Sequence, residues 1–120
     1  MRVLIVDDNE ELREFLALSL IEAAFEAVMA ENPEDALQKI ENDKFDVLII
    51  DSVMATNDGI ALTQEIRATK AGKNVPILLM SSLSTALARR MATSVGCNEF
   101  LVKPFGTMQF LEQVRKLGKG

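Results

Sequence analysis

The chain has 120 residues, 48% of them hydrophobic and 26% charged, with a formal net charge of −5 at pH 7. This is enough apolar material to bury one core without disulfides or a structural metal, and the single cysteine, Cys97, has no partner for an internal disulfide, which points to a reducing, cytoplasmic setting. The acidic balance argues against direct nucleic-acid binding, which needs a basic face to release counterions, and the absence of His, Trp and Tyr excludes imidazole catalysis, histidine metal sites and their aromatic stacking platforms.

No charged-then-apolar leader precedes the first structural segment, and no apolar run is long enough for membrane insertion. RVLIV, Arg2 to Val6, is a short β-branched run that predicts a buried strand. Residues 10 to 24 set Leu12, Phe15, Leu16, Ile21 and Ala24 against Glu11, Arg13, Glu14 and Glu22, which predicts a helix with the apolar set as its buried face. Leu18, Leu20 and Phe25 fall beyond that stripe. The second strand, Glu26 to Ala30, is less apolar and suits a sheet edge.

Asn32-Pro33-Glu34-Asp35 is a helix start: an amide cap, proline at the first helical position, and acids placed favourably in the helix dipole. Ala36, Leu37 and Ile40 then face the core. DVLIID, residues 46–51, is apolar on both faces, as expected of a strand in a parallel sheet covered on both sides. After a loop closing at Asp58-Gly59, Leu62 and Ile66 mark a third helix that runs out before Gly72.

VPILLM, residues 75–80, is the fourth strand, with Pro76 tolerated at its start. Leu87, Met91 and Val95, spaced by four, form the apolar stripe of a fourth helix stopped by Gly96. EFLV is the last strand, and Phe110, Leu111, Val114 and Leu117 mark a closing helix before Gly118. The Gly118-Lys119-Gly120 tail is compatible with a terminus or with the start of a linker. Five strands alternating with five helices predict one α/β domain over residues 1–120, a mostly parallel sheet with helices on both faces.

In such sheets ligands bind beyond the carboxyl ends of the strands, near the point where strand order reverses. Strand one ends in Asp7-Asp8, strand three in Asp51, strand four in Ser81-Ser82 and strand five in Lys103-Pro104. Singly, each has an ordinary structural explanation, such as a helix cap or a solvated lysine. Together they bring carboxylates, hydroxyls and one ammonium to one rim. Two carboxylates about 4 Å apart repel by about 4 kcal/mol at an effective dielectric near 20, a cost that a hard divalent cation offsets. Mg²⁺ suits the set, because it takes one or two carboxylates, keeps several waters and completes its shell with a phosphate oxygen. Asp51 can then act as a nucleophile toward phosphorus, forming an aspartyl phosphate while Lys103 and a serine hydroxyl hold the phosphoryl oxygens.

These residues are where the sequence resembles the receiver domains of response regulators in two-component and phosphorelay signalling. The similarity lies in VLIVDDNEELR, in DVLIIDSVM followed by a DG pair with Gly59 eight residues after Asp51, and in GCNEFLVKPF. It runs from the first strand to the last helix. The resemblance implies a three-layer αβα, flavodoxin-like (βα)5 fold with five parallel strands in the order 2-1-3-4-5. It implies Mg²⁺ or Mn²⁺ bound by Asp8 and Asp51 directly, by Asp7 through water and by the Val53 backbone carbonyl. Asp51 is then the phosphoacceptor, Ser81 the switch hydroxyl, and Lys103 the partner of the phosphoryl group. The Lys103-Pro104 bond is expected to be cis, and Phe100 matches a rotating aromatic that couples the acidic site to the face of helix four, strand five and helix five. The bland reading of Phe100 is a static core residue.

The implied function is a phosphoacceptor switch that catalyses its own phosphorylation and slow dephosphorylation, and not an enzyme with a separate substrate. The donor is a phosphohistidine on a sensor histidine kinase or a histidine phosphotransfer protein. The output is a downstream protein, a linked domain or a homodimer formed on phosphorylation. Two features depart from common family patterns. Ala55 stands where many members have proline, and Val53 and Leu83 are apolar where some members place polar groups that position hydrolytic water, which implies a long-lived phosphate. Three rival readings meet specific objections in the chain. A non-phosphorylated pseudo-receiver usually lacks acids or the lysine, and none is missing here. A flavodoxin-like electron carrier needs a hydroxyl- and glycine-bearing phosphate loop after strand one, where this chain has Asp7-Asp8-Asn9-Glu10-Glu11. A haloacid-dehalogenase-type phosphatase carries its nucleophile on strand one in an Asp-x-Asp arrangement, whereas the two acids here are adjacent.

Overall fold

The computed structural model of the chain describes residues 1–53 and 59–118; Met54, Ala55 and Asp58, together with Lys119 and Gly120, lie outside the described residues. Five strands alternate with five helices: β1 (Arg2–Val6), α1 (Glu10–Glu22), β2 (Glu26–Ala30), α2 (Pro33–Asn42), β3 (Val47–Asp51), α3 (Gly59–Arg67), β4 (Ile77–Ser81), α4 (Ala86–Ser94), β5 (Glu99–Val102) and α5 (Thr107–Gly118). All strand pairs are parallel and their order is β2-β1-β3-β4-β5. This is the expected (βα)5 topology, with β2 at an edge. The fourth strand begins two residues later than its apolar run and includes Ser81, and the first helix stops at Glu22.

Strand alternation builds two cores, one on each face of the sheet. Val3, Ile5, Val47, Ile49, Leu78 and Leu101 pack with α1 and α5, whereas Leu4, Val6, Leu48, Ile50, Ile77 and Leu79 pack with α2, α3 and α4. Asn9 caps α1 by accepting from the Leu12 N–H at 3.0 Å, and Asn32 caps α2 through the Asp35 N–H at 2.8 Å. Each side chain satisfies an N–H that the first helical turn leaves unpaired.

Two helices bury a different face from the one their spacing predicts. In α1, Leu16, Ala17, Ser19 and Leu20 are buried, while Phe15, Leu18 and Ile21 are exposed. Leu20 and Phe25, placed beyond the stripe by periodicity, belong to the core. Apolar residues occur all round this helix, so spacing alone does not select a face. The helix closes with Ala24 in the left-handed region at φ 70°, the Ala24 N–H bonding Ile21 O and the Phe25 N–H bonding Leu20 O. That closure turns the Phe25 ring into the core.

In α4 only Ala92 is buried, and Leu87 and Met91 are 66% and 48% exposed. The four-residue stripe therefore faces outward, because the small Ala92 lets the helix approach the sheet there. Gly96, at φ 103°, ends the helix as expected, with the Cys97 N–H bonding Ala92 O. Arg67, at the end of α3, fastens this turn: it donates to Gly96 O from Nε (3.1 Å) and Nη2 (2.7 Å), to Gly72 O (2.8 Å) and to Asn98 Oδ1 (2.9 Å).

Candidate functional site

The carboxyl ends of β1, β3, β4 and β5 form one rim, and the sheet order reverses at β1. Asp7 directly follows β1 and is fully buried, with its N–H on Ala30 O. Asp8 is exposed. Asp51 is the last residue of β3 and is 6% exposed. Oxygen atoms of Asp7, Asp8 and Asp51 lie within 4.8 Å of one another. Lys103 leaves β5 and places Nζ 2.9 Å from Asp51 Oδ1. By strand parity Asp7, Asp51 and Lys103 share the side of the sheet that carries α1 and α5.

Local bonds hold Asp7 in place. Asp7 Oδ1 accepts from the Asn9 N–H at 2.9 Å, and Asp7 O accepts from Arg13 Nη1 at 2.7 Å. Asp7 Oδ2 is buried with no hydrogen-bond partner among the described residues. Burial pushes the Asp7 carboxyl up to about 6; the Asn9 N–H opposes the rise, the Asp51 charge adds to it, and Lys103 opposes it. An orphaned buried oxygen, near-neutral affinity for a proton and three converging carboxylates make a donor set for a hard cation with oxygen preference. The residues present fit a divalent metal.

Gly59 matters for a different reason. Its N–H bonds Ser52 O at 2.9 Å, and a Cβ built on it would meet Asp51 O at 2.3 Å and Asp51 C at 2.9 Å. The start of α3 thus closes onto the backbone of the acidic strand end at a distance only glycine permits.

The other expected site residues are placed as follows. Ser81 ends β4, is buried, and its Oγ accepts from the Leu83 N–H at 3.0 Å. It is opposite Val102 in the β4–β5 register, and its carbonyl accepts from the Lys103 N–H at 2.8 Å. Val53 stands two residues after Asp51 and is exposed. The Lys103-Pro104 bond is cis. Phe100 lies on β5, half-buried against the α3 and α4 core, with the Arg89 guanidinium 4.9 Å from its ring centroid. It is therefore away from the acidic cluster, on the sheet face that also carries Ser81. Ala55 lies outside the described residues.

Asn9 and Arg13, which brace Asp7, and Arg89, which lies over Phe100, fall outside the set that the strand-end rule selects. An Asn directly before two glutamates is a cap signature that was available. No sequence signal marks Arg13 or Arg89, since both sit on helices otherwise rich in charge.

The strand order and overall topology agree with comparisons to known proteins. The family model described as the response regulator receiver domain matches residues 3–115. Response regulator MprA from Mycobacterium avium (strain 104) is 32% identical over 117 residues, covering 98% of this chain and 50% of that protein. MprA from Mycobacterium leprae (strain TN) is 31% identical with the same coverage. The chain thus spans about half the length of the curated relatives it matches. Among solved structures, chemotaxis protein CheY4 of Vibrio cholerae superposes with a TM-score of 0.93 at 28% identity, covering 97% of both chains. Response regulator TrrA of Thermotoga maritima, solved in complex with Mg(2+)-BeF, gives a TM-score of 0.85 at 34% identity and 97% coverage of both. With the family match spanning nearly its whole length, this chain belongs to the response regulator receiver domain family.

Proposed function

We propose that residues 1–120 act as one phosphoacceptor module, in which Asp51 takes a phosphoryl group from a phosphohistidine donor and changes the face made by α4, β5 and α5. The observation that carries this is the Lys103–Asp51 pair at 2.9 Å beside the unpartnered Asp7 oxygen. One cation already lies against the acceptor carboxylate, and the remaining negative charge calls for a second.

Asp7, Asp8 and Asp51, with the Val53 carbonyl, would hold Mg²⁺ or Mn²⁺, which when bound supplies charge neutralisation for an incoming phosphoryl group. A carboxylate oxygen of Asp51 attacks phosphorus, the phosphorus–nitrogen bond to the donor imidazole breaks, and the imidazole leaves with the electron pair and takes up a proton. Lys103 then follows the developing charge from the carboxylate onto the phosphoryl oxygens. The Ser81 hydroxyl, whose oxygen now accepts from Leu83, turns its hydrogen to a phosphoryl oxygen. Loss of the phosphate to water resets the switch, so the chain catalyses its own gain and loss of phosphate and has no separate substrate.

The donor is a sensor histidine kinase or a histidine phosphotransfer protein. The exposed Phe15, Leu18 and Ile21 of α1, flanked by acids, support docking of such a partner beside the acidic rim. The output is a downstream protein, a second copy or a linked domain. A net charge of −5 supports output through protein contacts and not through direct nucleic-acid binding. No helix among the described residues is long and apolar enough to cross a membrane; the receiver-family match and the single free cysteine, Cys97, support a cytoplasmic module.

The test is to incubate the purified chain with a small phosphodonor and Mg²⁺. An acid-stable, base-labile phosphate is expected, absent without divalent metal and absent in Asp51→Asn. No adduct on the native chain would overturn the proposal in favour of a pseudo-receiver.

A further inference from the structure

We propose that Arg89 is a positioning residue that latches the Phe100 ring in its half-buried place and thereby weights the switch against its phosphorylated form. The inference rests on the functional reading above and adds to it a residue that sets the resting balance.

The latch follows from how loosely α4 is held. Ala92 is its only buried residue, so little apolar contact fixes the helix along its length. Its C-terminal end is tied by three Arg67 hydrogen bonds, two to Gly96 O and one to Asn98 Oδ1. At its N-terminal end the Thr85 hydroxyl caps Ala88 at 3.1 Å. Between these ends, the Arg89 guanidinium over Phe100 provides a lateral charged contact between helix and sheet. Arg89 is exposed and forms no ion pair among the described residues, so no carboxylate draws its charge away from the ring face.

The position of Phe100 links this contact to the site. Phe100 pairs in register with Leu79, and Ser81 pairs with Val102. Strand alternation therefore sets Phe100 and Ser81 on one face of the sheet, one pleat apart. When the Ser81 hydroxyl leaves Leu83 for a phosphoryl oxygen, the turn leading into α4 loses a bond, and the rotation of Phe100 that the family resemblance implies would carry the ring toward Ser81. That movement takes the ring from under Arg89. The contact is thus made in one state and lost in the other, which is the condition for it to shift the equilibrium. For an exposed cation over an aromatic ring the shift is about two- to fivefold.

The experiment titrates beryllofluoride, with saturating Mg²⁺, into the native chain, Arg89→Ala, Phe100→Leu and the double variant. Arg89→Ala is expected to bind the phosphoryl mimic about two- to fivefold more tightly, and its Phe100 ring resonances without the mimic should move toward those of the bound native protein. In the Phe100→Leu background, Arg89→Ala should change nothing, because the latch has no ring to hold. Unchanged or weaker binding by Arg89→Ala, unmoved ring resonances, or an equal gain in both backgrounds would each overturn the latch. Failure of the native chain to bind beryllofluoride would instead overturn the phosphoacceptor reading itself.

Discussion

Lys103 reaches from the end of β5 past β4 to Asp51 at the end of β3, setting Nζ 2.9 Å from Oδ1 across 52 residues of sequence. The two strands do not touch, since β4 lies between them. Only the length of the lysine stem lets the ammonium span that gap, and the carboxylate it meets is nearly buried.

Replacing Lys103 by methionine keeps the stem and removes the charge. Phosphorylation of Asp51 by a small phosphodonor should slow on the order of 10²-fold, the usual loss when one preorganised charge-stabilising donor is deleted. The carboxylates of the acidic cluster are untouched, so Mg²⁺ should still raise the melting temperature of the variant. A normal labelling rate would remove Lys103 from the chemistry.

Asp7 makes stability depend on pH in the metal-free protein. Burial raises its carboxyl from 3.8 to about 6, so the folded state holds this proton more tightly than the unfolded chain. The associated stability is fully present below about pH 4 and is lost as pH rises through 6, a change on the order of 3 kcal/mol. Asp7→Asn should abolish that loss. With chelator present it should unfold at higher urea than the native chain at pH 7.5, and the difference should shrink toward pH 4.5. Mg²⁺ should stabilise the native chain more at pH 7.5 than at pH 5, because protons and metal compete for the same oxygens.

Gly59→Ala tests the close approach behind the acidic strand. Its methyl would stand 2.3 Å from Asp51 O, and a backbone carbonyl in a central strand yields little. A loss of about 1–3 kcal/mol is expected in urea unfolding, with weaker Mg²⁺ binding as Asp51 is displaced. Full stability with native Mg²⁺ affinity would show that the α3 start moves independently of the site.

Val53 and Leu83 are both exposed beside the rim, where neither can hold a water by hydrogen bonding. The aspartyl phosphate should therefore be long-lived in the purified protein. Val53→Asn or Leu83→Asn should shorten its half-life severalfold by offering that water a polar partner. Rapid phosphate loss from the native chain, altered by neither substitution, would refute the assignment.

Much of the fold was legible in the chain because its strands are short, nearly continuous apolar runs and its helix starts carry plain chemistry. Asn32-Pro33 opens α2 where a capping amide and a preset φ require it. The strand-end rule collects Asp7, Asp8, Asp51, Ser81 and Lys103 on one rim from the chain alone. Spacing misplaced the buried faces of α1 and α4. In α1 apolar residues surround the axis, and the choice between Leu20 and Ile21 was made by the Ala24 turn and the pull of Phe25 into the core. In α4 the large residues Leu87 and Met91 face outward because the short contact to the sheet runs through Ala92.

Alternation and helical period are local properties of the chain, and they set the order of the elements, the parallel sheet and the residue types available at its carboxyl edge. Tertiary structure alone decided what distinguishes neighbours of the same type. Asp7 is buried and proton-hungry while Asp8 is exposed, Lys103 is committed to Asp51, and Arg89 rests on Phe100. Those differences come from burial and from distances between residues far apart in the chain, and both exist only once the sheet has closed and the helices have packed against it.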